Sequence, residues 1–281
     1  MRVYVSADME GVAGVVNLDQ TVRGGHGYAL AQGLMTAEVN AAIAGAFDAG
    51  ATSVTVNDAH GTMDNLVPDE LDPRARLLSG LAKPSSMMAG LTPDCDLAIF
   101  IGYHAAAGTD GVLAHSFSSH FHRLRLGGRL MSEADVNAIY AASLGVPVGL
   151  VSGDAALCRD LSPGMPAASM VSVKEAAGWS AADSLHPTRA CDLIREGAAS
   201  AVEAAGSLIV ADIPPELTLE VDMAMPTAAD LAAQIPGSER VSPSTVRHTV
   251  ATPREVLGLI SVWSRLAADA ARERAGLIQR R

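Results

Sequence analysis

The sequence predicts a three-layer α/β/α fold with a largely parallel central sheet and a smaller C-terminal α+β portion. Two observations carry this expectation. Across residues 1–205, short apolar or β-branched runs alternate with longer helical stretches, the pattern of β-α-β units. Runs such as Leu97–Tyr103 (LAIFIGY) and Pro147–Ser152 (PVGLVS) are apolar almost throughout, as in strands covered on both faces. The expected division is a main α/β domain over 1–205 and a portion over 206–281, which also reads as an extension of the first.

Taken in order, Arg2–Ala7 (RVYVSA) reads as the first strand. Ala29–Ala49 carries Leu34, Val39, Ile43 and Phe47 at helical spacing, and Gly50 suits the left-handed position that ends a helix. Thr52–Val56 is a β-branched strand, Ala75–Leu78 a second short one, and Ser85–Gly90 a short helix. Gly108 to Gly128 is rich in Gly, Ser and His and reads as loop with hairpin character, followed by strand-like Arg129–Met131. Glu133–Leu144 is a helix stopped by Gly145, and a further helix begins near Asp154 after the Pro147–Ser152 strand. Residues 166–173 form a strand and Pro187–Glu203 a long helix. From Ser207 the chain alternates apolar and polar residues (LIVADIPPELTLEVDM), the period of a half-exposed strand. A turn at Pro236-Gly237, a strand at Thr245–Val250 and a helix over Arg254–Ala275 complete it.

Composition narrows the function. The 281 residues are 49% hydrophobic and 18% charged, enough apolar content for a sizeable core and unlike a disordered chain. The net charge of -11 repels phosphate backbones, and the densest basic stretch, Arg123 to Arg129, has only three arginines, so nucleic acid is not expected as a partner. Cys95, Cys158 and Cys191 are odd in number and widely spaced, which argues against a disulfide framework or a thiolate zinc site. No signal-peptide pattern opens the chain, and no run approaches the ~18–20 apolar residues of a membrane span. A cytoplasmic location without membrane partners is the expectation.

Three predicted strands end in metal-binding residue types. Asp8-Met9-Glu10-Gly11 follows the first, Asn57-Asp58-Ala59-His60-Gly61 the second, and Gly102-Tyr103-His104 closes the apolar third. If the strands are parallel, all three sets arrive at the carboxyl edge, where open α/β sheets bind ligands. Asp8 and Glu10 are two residues apart, as are Asp58 and His60, so in extended chain each pair faces one way. An Asp at a strand end is more often a cap, and His60 alone could be a hydrogen-bonded loop residue. His104 says more, because an unpaired polar group closing a buried strand would be costly. This mixed N/O set suits zinc, and manganese or cobalt could use it as well.

The segments SADMEGVAGV (6–15), VNDAHGTMDNL (56–66), KPSSMMAGL (83–91), IGYHA (101–105), GVLAHSF (111–117) and SEADVNA (132–138) together resemble the zinc-dependent D-aminopeptidase family of dipeptide-transport loci. They occur in the family's order and cover most of residues 1–205. The resemblance implies that Asp8, Glu10, His60, His104 and Glu133 hold two divalent ions per subunit, zinc by expectation, with Asp8 as the bridge. It implies that His115 is the catalytic histidine, whether as acid/base, as oxyanion hydrogen-bond donor or as nucleophile. It further implies a homodecamer that releases N-terminal residues from short D-amino-acid peptides. Asn137, one helical turn beyond Glu133, is a candidate substrate contact.

The chain departs from the family pattern at Ser132, where glycine is common, and at Trp179, where arginine is common; Lys174 is retained. Met87, Met88 and Met131 read as core fillers, Cys158 as a small buried residue, and Gly24-Gly25-His26-Gly27 as a loop near the site entrance. Two rivals remain: a metallohydrolase for another small amide or ester, and a non-catalytic peptide- or metal-binding protein. No Gly-rich phosphate loop supports nucleotide binding.

Overall fold

The computed structural model describes residues 1–279. In chain order the elements are β1 (Arg2–Ala7), α1 (Leu18–Thr21), α2 (Tyr28–Asp48), β2 (Ser53–Asp58), β3 (Arg76–Leu78), β4 (Leu97–Tyr103), β5 (Phe121–Leu126), β6 (Arg129–Leu130), α3 (Glu133–Ser143) and β7 (Val148–Asp154). They continue with α4 (Ala155–Leu161), β8 (Ser169–Gly178), β9 (Ala181–Ser184), α5 (Pro187–Glu203), β10 (Leu217–Met223), α6 (Pro226–Ala232), β11 (Glu239–Arg240), β12 (Thr245–Val250) and α7 (Pro253–Gln279). Among the described residues, no helix is long and apolar enough to cross a membrane.

The chain divides into two compact units. The first comprises Met1–Ala105, Asp110–Leu113 and Asn137–Ile213. The second comprises Ala106–Thr109, Ala114–Val136 and the chain from Pro214 onward. The division is therefore not a single cut: the second unit takes in 114–136 as well as the C-terminal portion, because β5 pairs with the distant β10.

In the first unit a seven-stranded sheet runs in the order β3-β2-β1-β4-β7-β8-β9. All pairs are parallel except the β8–β9 hairpin. Alternation along β1 assigns its two faces. Val3, Val5 and Ala7 join the apolar cluster formed with α2 and α5. Tyr4 and Ser6 point the other way, where Tyr4 Oη and Ser6 Oγ donate to the Met87 carbonyl at 3.2 and 2.8 Å. Helices on one side and the 83–91 segment with the end of α3 on the other give the predicted three layers. α2 and α5 come close because Gly45 has no Cβ; one there would lie 2.2 Å from the Arg195 carbonyl oxygen. α2 ends as expected at Gly50, whose φ is +95°, with Gly50 and Ala51 N–H returning to the Phe47 and Ala46 carbonyls.

In the second unit a five-stranded sheet runs β11-β12-β10-β5-β6. β10 buries alternate residues Leu217, Leu219, Val221 and Met223, and Val256, Leu257, Ile260 and the fully buried Trp263 line α7. The expected strand from Ser207 begins only at Leu217, because Pro214-Pro215 cannot donate to a ladder. The hairpin expected between 108 and 128 is present, with Gly127-Gly128 turning β5 into β6. β9 and α6 were not expected.

Glu38, on the buried side of α2, accepts a hydrogen bond from Ala13 N–H at 2.8 Å. Burial pushes its carboxyl from an ordinary 4.5 up to about 7, against the opposing pull of Ala13 N–H and Lys174. A raised carboxyl binds its proton more firmly in the folded state. Its contribution is intact below the unfolded value and is lost as pH rises through about 7. Glu38→Gln should therefore leave the urea midpoint near wild type at pH 5 and raise stability by roughly 1–3 kcal/mol at pH 8. A wild-type-to-variant difference that does not grow with pH contradicts this.

Candidate metal centre

The register of the parallel strands sets the site. Ala7 pairs with Asp58 on one side and with Ile101 on the other, so β1 and β2 end level and β4 runs two residues further, to Tyr103. The chain leaving β1 then folds over the end of β4: Asp8 N–H donates to the Ile101 carbonyl and Gly11 N–H to Gly102, both at 2.8 Å. Two glycines permit this approach. A Cβ on Gly11 would lie 1.8 Å from the Tyr103 carbonyl oxygen, and one on Gly102, whose φ is +70°, would lie 2.2 Å from that of Asp8. The β4–β7 register slips between Phe100 and Tyr103, a bulge that re-aims the residues after it, including His104.

Within the first unit this brings Asp8, Glu10, His60 and His104 together, all buried. His60 Nε2 lies 2.7 Å from the Thr21 carbonyl oxygen, which can only accept, so that nitrogen carries the proton. Its other nitrogen, Nδ1, sits 3.2 Å from Asp8 Oδ1 and 2.9 Å from Glu10 Oε2. His104 repeats the arrangement from the opposite side. Its Nδ1 is 3.0 Å from the Ala105 carbonyl oxygen, which leaves Nε2 toward Asp8 Oδ2 at 3.5 Å. Each carboxylate oxygen of Asp8 thus faces an imidazole lone pair.

Lone pairs of nitrogen and oxygen repel at these distances unless positive charge lies with them. Burial opposes charge on His60, yet the Glu10 and Asp8 carboxylates outweigh it and push the imidazole well above its ordinary pKa. Burial likewise opposes ionisation of Asp8, and the hydrogen bonds of His104 and His60 hold it below the usual carboxylate range. Divalent ions answer the same need. Two donors each ~2.0–2.1 Å from one tetrahedral zinc are separated by roughly 3.3 Å, close to the three distances here. The ring N–H of each histidine is bonded to a backbone carbonyl, the outer-shell pattern of metal-binding imidazoles. Asp8, Glu10 and His104 also present ligand atoms within 4.8 Å of one another. The residues fit a metal.

In the second unit, His115 Nε2 lies 3.7 Å from Glu133 Oε1, and the His115 side chain is 24% exposed. Phe117 N–H donates to the same Glu133 oxygen at 2.5 Å, from a backbone held at φ +60°. Asn137, in the first unit, is fully buried; its amide donates to Tyr103 Oη at 3.0 Å, which in turn bonds Ser6 Oγ. Asp58 turns away from His60. It accepts from Asn65 N–H, Leu66 N–H and the Asn65 side chain, tying down the 60–66 loop. Asp58 and His60 thus serve different partners: Asp58 holds the 60–66 loop and His60 meets Asp8 and Glu10.

Two supports were not anticipated. The Thr21 carbonyl comes from α1, whose Asn17–Gln20 capping box was the signal available in the sequence. Lys174 on β8 reaches the loop of Glu10, a contact that no local pattern reveals. Met87, Met88 and Met131 are core residues as expected, and Cys158 is buried, its thiol pushed up to about 12 by burial.

A carboxylate gripped between two imidazoles at the carboxyl edge of a parallel sheet defines a metal-binding α/β protein equipped for hydrolytic chemistry. Comparison with known proteins makes this particular. The D-aminopeptidase family matches residues 1–262, and the chain belongs to that family. A D-aminopeptidase of Bacillus subtilis strain 168 is 33% identical over 268 residues, spanning 95% of this chain and 98% of the relative. The solved structure of the Zn-dependent D-aminopeptidase DppA from Bacillus subtilis, described as a self-compartmentalizing protease, superposes with a TM-score of 0.92. Its identity is 33%, with 95% of this chain and 98% of that one covered.

The close approach at Gly11 gives a test of this geometry. Gly11→Ala must displace either the Glu10 loop or the Tyr103–His104 peptide, a local overpacking of about 1–3 kcal/mol or more. Chemical denaturation should show that loss. An unchanged midpoint would mean that the turn does not press on β4.

Proposed function

We propose that this chain is a zinc-dependent D-aminopeptidase that releases N-terminal residues from short D-amino-acid peptides. Asp8, Glu10, His60, His104 and Glu133 hold two zinc ions in this reading, Asp8 bridges them, and His115 is the catalytic histidine. The observation that carries it is the pairing of both Asp8 oxygens with imidazole nitrogens whose partner N–H groups are already committed to carbonyls. Family membership supports the reaction class. The neighbour's description as self-compartmentalizing supports assembly of this chain with copies of itself. The homodecamer, a cytoplasmic location and small peptides as substrates, with neither nucleic acid nor membrane as partner, belong to the same proposal.

When bound, the ions polarise the scissile carbonyl and lower the pKa of water. Asp8 and Glu10 supply buried negative charge that would retain the cations. The Thr21 and Ala105 carbonyls hold His60 and His104 by one ring nitrogen each, so that Nδ1 of His60 and Nε2 of His104 are the nitrogens that would hold the ions. Phe117 N–H fixes Glu133. His115, half-buried beside Glu133, would take the proton lost by the attacking water and deliver it to the leaving amine nitrogen as the C–N bond breaks. Asn137, bonded to Tyr103 Oη and through it to Ser6, is the candidate substrate contact in this reading.

Purified protein should contain zinc by elemental analysis and cleave D-Ala peptides in preference to L-Ala peptides. His60→Ala and His104→Ala should each lose bound metal together with nearly all turnover. His115→Ala should keep its metal and lose roughly 10²–10⁴-fold in kcat, the range of one acid/base group. Full activity of metal-free protein, or turnover of L-peptides alone, would overturn the proposal.

A further inference from the structure

Lys174 lies across the sheet from the metal ligands, on β8, and is 3% exposed. Its ammonium donates to the carbonyls of Glu10 at 2.5 Å, Val12 at 2.9 Å and Val15 at 2.5 Å. An ammonium has three donors, so all are used on one loop. Three carbonyl dipoles converging on one point repel each other unless a cation sits between them. The loop of residues 10–15 therefore holds its shape because Lys174 occupies its centre. Glu38 grips the intervening Ala13 N–H, and Gly11 N–H is bonded to Gly102.

A buried lysine is a poor device for stability alone. Burial pushes its pKa down to about 8, and buried ionic groups are often replaceable by apolar ones at no loss of stability. What the ammonium does supply is a fixed path for the backbone that carries Glu10, whose own carbonyl is one of the three acceptors. The register slip between Gly153 and Asp154 on β7 sets Lys174 opposite Asp154.

We infer that Lys174 is a positioning residue for Glu10: by fixing the carbonyls of residues 10, 12 and 15 it sets the metal affinity of the donor set. This rests on the metal reading proposed above. The test uses Lys174→Met and, because that variant could fold poorly, Lys174→Gln, whose amide retains two donors. Zinc affinity is measured by chelator competition beside wild type, Glu10→Ala and the Lys174→Met/Glu10→Ala double variant. The inference predicts at least a tenfold loss of affinity in a folded Lys174 variant, and less than a further twofold loss when Glu10 is already absent. Amide exchange over residues 10–15 should also quicken in the metal-free variant. Affinity within twofold of wild type, or a full additional loss in the double variant, overturns the inference. If wild type itself takes up no zinc, the metal reading fails instead, and unchanged exchange over residues 10–15 then overturns the role of Lys174 separately.

Discussion

The site depends on a carboxylate placed between two nitrogen lone pairs. Asp8 could not sit there, buried, with His60 on one oxygen and His104 on the other, without a compensating positive charge. The surroundings make that demand stricter. Thr21 and Ala105 already accept the second N–H of each ring, so neither imidazole can turn its proton toward Asp8 without abandoning a buried carbonyl. That charge is supplied either by a second proton on an imidazole or by a bound cation.

The fold holds the arrangement in place by backbone rather than by side-chain packing. Parallel neighbouring strands deliver the three motifs to one edge, and main-chain bonds from Asp8 and Gly11 fasten the first motif onto the third. Glycine is needed where backbone meets backbone, at Gly11 and Gly102, and the bulge in β4 converts a regular strand into a turn of the chain that aims His104. Two equally buried side chains, Lys174 and Glu38, brace the same loop. Their charges are paired with backbone dipoles, which keeps the Asp8 and Glu10 carboxylates as the groups that attract cations.

Much of this was legible in the sequence. The fold class followed from β-α alternation and from LAIFIGY and PVGLVS, since strands covered on both faces lose polar residues. Asp8, Glu10, His60 and His104 stood out because polar residues closing apolar strands need a reason. Glu133 and His115 were visible only through family resemblance: an acid in the first turn of a helix and a histidine in a Gly- and Ser-rich loop look ordinary. Other features left no local trace. The β5–β10 pairing joins residues far apart in the chain, so the second unit could not be read from composition. Pro214-Pro215 interrupts an alternating pattern that would otherwise pass for one long strand. The different partners of Asp58 and His60 depend on the path of the 60–66 loop, and the reach of Lys174 depends on sheet order; neither is a property of neighbouring residues.

Diffraction from zinc-grown crystals at the zinc absorption edge tests the account most directly. The account predicts an anomalous peak on each side of the Asp8 carboxylate, one beside His60 Nδ1 and one beside His104 Nε2. A map with no peak within bonding distance of Asp8, in protein whose strand ends are otherwise as described, would contradict it.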